Sequence, residues 1–317
     1  MNKNENLYAK AIAFGNYYIL DKMIPLEKRA SIKEKKLNVY KEKLDVLLQT
    51  YPGEQEAITS DKRKLKVQLL SSVLNKNEKT LFIIDLAFSN PFAPHDLKYK
   101  IKDFHRGLHY IGSLVHLTKK DVDDVLKVQK RVFKSQRQIK YWTVGLYGLG
   151  GLILFGVGGW LVAPAIGAYL GTAAGYVGIA ATLHGLALLG GGTLASGGFG
   201  VAGGMWLITG LGGASGIIAA GGGNILFKLG AALSKVEIYK AQVAFKMLVL
   251  DGFDNTVSAE QAISNLSEQL KEVKKEKVEK VKLNDEKSET IKDLKETEEA
   301  LINAIGWMKK ELKRASK

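Results

Sequence analysis

The sequence predicts an all-α protein. It reads as a helical bundle with a glycine-rich hydrophobic membrane-inserting helical block and a C-terminal coiled-coil hairpin. Three observations carry this prediction. Apolar residues on both flanks recur at helical spacing between lysines and acids. Between them, residues 141–227 hold no Asp, Glu, Lys or Arg in 87 positions, and 27 of the 34 glycines. The last stretch, 256–317, has no proline and only one glycine, Gly306.

These shifts divide the chain into a charged helical bundle at 1–140, the uncharged block at 141–227, and an amphipathic helix with a coiled-coil arm at 228–317. Charged residues are 25% of the chain as an average, yet all of them lie outside the block. Such a partition excludes an ordinary soluble globular chain with interspersed charges, and also a wholly disordered one. The net charge of +14 is uneven, with +12 before the block and +2 after it. With no cysteine, neither a disulfide framework nor a thiolate nucleophile is available. The N-terminal apolar run is short and polar-interrupted, unlike a signal peptide, so synthesis in the cytoplasm is expected.

Within 1–140, about five helices are expected. Leu37, Tyr40, Leu44, Leu47 and Leu48 share a helical period. Leu65 to Leu74 follow after Pro52-Gly53, and Leu81 to Phe88 ends at Asn90-Pro91. A fourth helix is expected from about Leu97 to Leu117 and a fifth from about Lys119 to Lys140. The fifth begins with Asp121, Asp123 and Asp124 and ends with Lys127, Lys130, Arg131, Lys134, Arg137 and Lys140. That order suits the helix dipole. It also sets positive charge directly before the uncharged block, as cytoplasmic flanks of membrane segments do, where it can dock anionic lipid.

Three stretches of the block are long enough to span a bilayer, which takes about 20 residues. Tyr141 to Ala163 is the clearest, with Trp142 and Trp160 near its ends as interfacial anchors. Ala165 to Leu189 and Phe199 to Ala220 follow, separated by Pro164 and by glycine clusters. Small residues recur every fourth position at Gly159, Ala163, Gly167, Gly171 and Gly175, then at Ser196, Gly200 and Gly204, then at Gly212 and Gly216. On a helix this spacing makes one bare face, where a second backbone approaches closely in lipid. We assign helix packing to Gly167, Gly171, Gly175, Gly200, Gly204, Gly212 and Gly216. In water each would weaken a helix by about 1 kcal/mol relative to alanine. His184 is the block's one histidine, a candidate pore-lining or pH-sensing position.

After the block, 225–250 is helical and largely apolar. Lys228, Lys235, Glu237, Lys240 and Lys246 mark a polar face, so the helix either lies on a membrane surface or packs on the bundle. In 256–317, Ile263, Leu266, Leu270 and Val273, then Leu294, Leu301, Ile305, Met308 and Leu312, follow coiled-coil-like spacings. Ser258 and Gln261 fit a capping box, and LNDEKS at 283–288 reads as a turn. The arm is a hairpin or one continuous helix, and a possible site for a protein partner.

Competing motifs are weak. Gly198 to Gly203 matches GxGxxG, but neither a preceding strand nor a following acid supports it. No GxxxxGK[ST] phosphate loop is present. His105 and His109 lie four apart with His116 beyond, but without the glutamate of a zinc-binding HExxH they read as bundle histidines. The basic run lacks a series of interleaved aromatics, holding Phe133 alone, so no nucleic-acid partner is expected. No acid–base pair, nucleophile, cofactor or metal site emerges, and an enzyme is not expected.

The layout of charged helical arms around an uncharged glycine-rich block resembles α-helical pore-forming proteins, which hold a hydrophobic hairpin within a helical bundle. LASGGFGVAGGMWLITGLGGASG is also similar to glycine-rich membrane segments of other bacterial membrane-associated proteins, some of them encoded beside phage-defence genes. The resemblance implies a membrane-permeabilising effector or toxin of the cell-suicide or defence type. It would form homo-oligomers in the cytoplasmic membrane, with a soluble form before insertion. A membrane-anchored scaffold and a soluble protein with a buried glycine-rich core are the alternatives.

Overall fold

The structure, a computed structural model, describes residues 5–50, 76–92, 95, 97–135, 230–251, 256–283 and 288–316. Among the described residues the protein is all-α, with no strand. The helices are α1 (Glu5–Met23), α2 (Ala30–Thr50), α3 (Lys76–Ala87), α4 (Ile101–Leu114), α5 (Lys119–Ser135), α6 (Gly230–Ala244), α7 (Thr256–Leu283) and α8 (Glu289–Ala315). The helix expected over 65–74 and the whole block 141–227 lie outside the described residues.

Local chemistry sets the boundaries. Pro25 sits in a single 3-10 turn, Ile24–Leu26, between α1 and α2. Glu27 follows and accepts hydrogen bonds from Arg29 Nε at 3.0 Å and Lys36 Nζ at 2.8 Å. Arg29 first and Lys36 second hold this carboxyl well below its usual range. Beyond α3, Asn90 Oδ1 accepts from the Phe92 backbone N–H at 3.0 Å, the local turn that Asn90-Pro91 predicts. Thr118 and Asp121 cap α5 reciprocally. Asp121 Oδ2 accepts from the Thr118 N–H at 2.8 Å, and Thr118 Oγ1 from the Asp121 N–H at 3.2 Å.

The end of α4 is unusual. His116 has φ 58°, and Leu117 N–H bonds back to Gly112 C=O at 2.9 Å while His116 N–H bonds to Ser113 C=O at 3.2 Å. This is the Schellman pattern with histidine where glycine is usual. At the far end of the chain α7 stops at Leu283 and α8 starts at Glu289, with the Ser288 side chain accepting from Ile291 N–H. The arm is therefore two helices, in extensive contact, rather than one. Helix α7 begins at Thr256, two residues before the serine expected to cap it.

The described helices share one apolar cluster. Its N-terminal part joins α1, α3, α4 and α5, and its C-terminal part joins α7 and α8. Helix α1 is deeply set in the N-terminal part, with Tyr17, Ile19 and Leu20 at most 1% exposed. No helix was expected over 5–23. A segment buried on most sides lacks the polar stripe from which helical periodicity is read.

Glycine permits two of these crossings. A Cβ on Gly107 of α4 would stand 3.0 Å from Ile19 Cγ2 and 3.3 Å from Ile19 Cα, so the α1 backbone leaves no room. A Cβ on Gly15 would meet Leu86 Cδ1 at 2.9 Å and Phe82 Cζ at 3.2 Å. Gly107→Ala is therefore expected to destabilise the chain by about 1–3 kcal/mol through overpacking, despite alanine's better helix propensity. Gly306→Ala, with nothing within 4 Å of the new methyl, is expected to be neutral or stabilising. Urea unfolding of the full chain followed by far-UV circular dichroism checks both.

Candidate functional site

The chain enters the uncharged block after α5 and leaves it before α6. These two helices pack against each other. Phe133, two residues before the end of α5, makes an edge-on ring contact with Tyr239 of α6, centroids 6.0 Å apart. Phe88 stacks obliquely on the same Phe133 at 5.6 Å. Both flanks of the block thus belong to one packed body.

Helix α6 is the centre of that body. It contacts α3, α5 and α8, and it continues into a π-helical turn, Phe245–Leu250, that touches α7. Residues 238–245 are all buried. The expected polar face is therefore corrected. Lys240 is buried, and its Nζ lies 3.3 Å from Asp85 Oδ1 of α3, itself buried. Lys235 pairs with Glu296 of α8, and Lys246 with Asp251. The reason is angular: a step of 100° per residue puts Lys235 and Lys240 about 140° apart, so one stripe cannot hold both. Burial raises the Tyr239 hydroxyl pKa above its usual range, and Glu299 and Glu296 add to the effect. Gln242, fully buried, has neither amide atom hydrogen-bonded.

Of the basic residues expected before the block, Lys127, Lys130, Arg131 and Lys134 are described, and all four are exposed on α5, Lys127 paired with Asp124 at 2.9 Å. Arg131 is not free. It pairs with Glu311 of α8, 180 residues away, which also takes Arg314. Glu311 is only 3% exposed. Burial alone would raise its pKa, but Arg131 and Arg314 outweigh that and hold it low. Arg137, Lys140, Trp142, Trp160, His184, and Gly167, Gly171, Gly175, Gly200, Gly204, Gly212 and Gly216 lie outside the described residues.

The bridge brings a second basic segment to the first. Lys309, Lys310, Lys313 and Arg314 are exposed on the last turns of α8. Sequence reading missed them as part of the site. A signal existed: Glu311 is a lone acid in register with the buried Ala304 and Met308, inside an otherwise basic stretch.

Nothing among known proteins matches this chain, whether family models, curated proteins or solved structures. The remaining chemistry is sparse. His109 Nε2 lies 3.1 Å from Asp123 Oδ1. His105 is held below its usual pKa by burial and then by His109, with Asp123 opposing. His116 is exposed, beyond the end of α4. No group of three or more metal-ligating side chains occurs among the described residues, and no described helix is long and apolar enough to cross a membrane. The arrangement holds two helix ends together and presents cations beside them.

Two measurements test this geometry. Lys240→Met removes the ammonium 3.3 Å from the buried Asp85 carboxylate and is expected to cost about 3–5 kcal/mol, whereas Lys240→Met with Asp85→Leu should recover most of the loss. Unfolding of the single and double variants reads the difference. Glu311 has a lowered pKa when folded, so its contribution is full above the ordinary carboxylate value of 4.5 and is lost as pH falls through the folded value. Glu311→Gln should cost about 1 kcal/mol at neutral pH and shrink to no cost in acid, as stability curves against pH would record.

Proposed function

We propose that the protein is a membrane-inserting α-helical effector that permeabilises a bilayer. Residues 141–227 enter the lipid as glycine-packed helices, and the flanking helices remain on one side as the body that holds and triggers them. The observation that carries this reading is the block itself: 87 uncharged residues rich in glycine, bounded by helices that are densely charged. In lipid the backbone has no hydrogen-bond partner but itself, so glycine's helix penalty in water is suspended. The contact between α5 and α6 supports the reading further, because both flanks must then lie on the same face of any membrane the block enters. The block therefore makes an even number of crossings, or one of its three spans is re-entrant.

Within this reading Gly167, Gly171, Gly175, Gly200, Gly204, Gly212 and Gly216 pack helix against helix. Trp142 and Trp160 anchor the first span. Lys130, Lys134, Arg137 and Lys140 lie at the headgroups, and His184 sits within the inserted segment. The function is non-enzymatic and of the toxin or cell-suicide class, acting as a homo-oligomer at the cytoplasmic membrane.

A second reading draws on the arm. Helices α7 and α8 form a coiled-coil hairpin in this view, with Ile263, Leu266 and Val273 of α7 and Leu294, Leu301 and Met308 of α8 all buried. Val278 is 51% exposed and Leu283 77% exposed near the end of α7, an apolar tip suited to a partner. The protein would then be a membrane-anchored scaffold without conductance.

Purification without detergent, vesicle flotation and dye release separate these readings. The permeabilising effector is expected to bind anionic vesicles and release their dye. Gly171→Leu should still bind but lose oligomers and most leakage. Binding without leakage, and no current across planar bilayers, would favour the scaffold. Protein that neither floats nor leaks would overturn both and leave a soluble chain with a buried glycine-rich core.

A further inference from the structure

We propose that the seam between α4 and α5 is an acid-sensitive latch. His105 and His109 of α4, set against Asp123 of α5, keep the seam closed while neutral and loosen it when both are protonated, freeing one side of the helix that leads into the uncharged block. The link to the block rests on the membrane reading above; the seam's response to acid does not.

A step of 100° per residue puts His105, His109 and Gly112 within about 60° of one another on α4. Two contacts show that this side meets α5. His109 Nε2 lies 3.1 Å from Asp123 Oδ1, and a Cβ on Gly112 would stand 2.5 Å from Val122 Cγ2. The helices are therefore close, and each imidazole keeps one ring nitrogen sealed inside. His105 Nε2 and His109 Nδ1 are buried and make no hydrogen bond.

Neutral imidazole tolerates this. It carries one N–H, so His109 can donate from Nε2 to Asp123 and leave Nδ1 bare, and His105 can likewise turn its bare nitrogen inward. Protonation puts an N–H on both nitrogens of each ring. Two sealed donors, and two like charges one helical turn apart, then share a single carboxylate. An unsatisfied charged donor penalises the closed seam and not the open one, where water reaches it. Burial first and His109 second already hold His105 below its usual pKa, with Asp123 opposing. Because its folded pKa lies below the ordinary 6.5, His105 binds a proton more readily in the open or unfolded chain. Stability is therefore lost as pH falls through 6.5 towards the folded value.

Among the described side chains, the other acids on α4 and on the helices packed against it are engaged elsewhere. Asp103 pairs with Arg106, Asp121 with Lys76, Asp124 with Lys127, Asp85 with Lys240, and Asp21 with Lys22 and the Tyr40 hydroxyl. Of the cations, Lys22 of α1 lies over the Tyr110 ring, Lys79 of α3 is half-buried, and the lysines of α4 and α5 are exposed. Asp123 is thus the acid left to the two histidines. Helix α5 ends at Ser135, and the block begins at Tyr141. Helix α5 also packs on α3 and α6, so the body stays whole while the α4 side gives way.

The test uses the full chain at pH about 7.5 and about 5.5, either side of the ordinary imidazole value. Urea midpoints and backbone hydrogen exchange, taken relative to the intrinsic rate at each pH, read the seam without lipid. Dye release from anionic vesicles reads the block. In acid the wild type is expected to have a lower midpoint, to lose protection in α4 and α5 ahead of α7 and α8, and to release dye several-fold faster. His105→Gln and His105→Phe should each lose most of the midpoint fall and most of the gain in release. Asp123→Asn removes the carboxylate that favours the charged rings, so it should steepen the fall. Wild-type midpoints and exchange unchanged by acid, or an undiminished fall in both His105 variants, overturn the latch. Acid-faster release that survives both His105 variants and disappears in His184→Gln moves the sensor into the block and overturns it too. A seam that loosens as stated, with dye release equal at both pH values, overturns the link to the block. A seam that loosens while no dye is released at either pH keeps the response to acid and removes the permeabilising function instead.

Discussion

Everything in the described structure depends on how α6 is buried. The chain returns from 87 uncharged residues and its next helix goes straight into the core, surrounded by α3, α5 and α8. Tyr239 packs on Phe133, Lys240 reaches Asp85, and Lys235 reaches Glu296. Remove that helix, and the N-terminal helices and the C-terminal pair lose their principal common surface. Apolar burial at about 25 cal/mol per Å² supplies the attraction, while the Lys240–Asp85 pair restricts it to one register, since any slip strands two charges in the core.

This constraint bears on the block. A segment whose two ends are held in one packed body cannot be threaded through a bilayer an odd number of times. On the proposed membrane reading, an inserted part would be an excursion from the folded body, and the body would be spared large rearrangement while its helices stay docked. The Arg131–Glu311 pair ties α8 to the helix that precedes the block in the sequence.

Much of this order was legible in the sequence, and the exceptions share a cause. Helices α4, α5 and α8 carry one apolar face each, and their periodicity located them. The break at Asn90-Pro91 was visible as turn chemistry, and LNDEKS at 283–288 marked where α7 gives way to α8. Helix α1 is buried on most sides, so its apolar residues have no period to detect, and the helix over 225–250 was legible while its burial was not. Lys240 looked like part of a polar stripe because charge normally marks solvent, and only its partner in α3 makes burial tolerable. Of the candidate site, Lys130 and Lys134 were legible as exposed cations. The engagement of Arg131 was not, because Glu311 is 180 residues away. His116 was equally opaque: the αL position at the end of α4 would have been announced by glycine, and histidine gives no such signal.

The central claim is that both flanks of the block lie on one side of a membrane that the block enters. The chain has no cysteine, which allows a direct measurement with single introduced thiols and a membrane-impermeant maleimide on proteoliposomes. Ser135→Cys and Leu283→Cys, both at exposed positions, are expected to label from the same side. Leu152→Cys, within the first candidate span, is expected to stay unlabelled until detergent is added. Labelling of Ser135→Cys and Leu283→Cys from opposite sides, or of Leu152→Cys without detergent, would contradict the account.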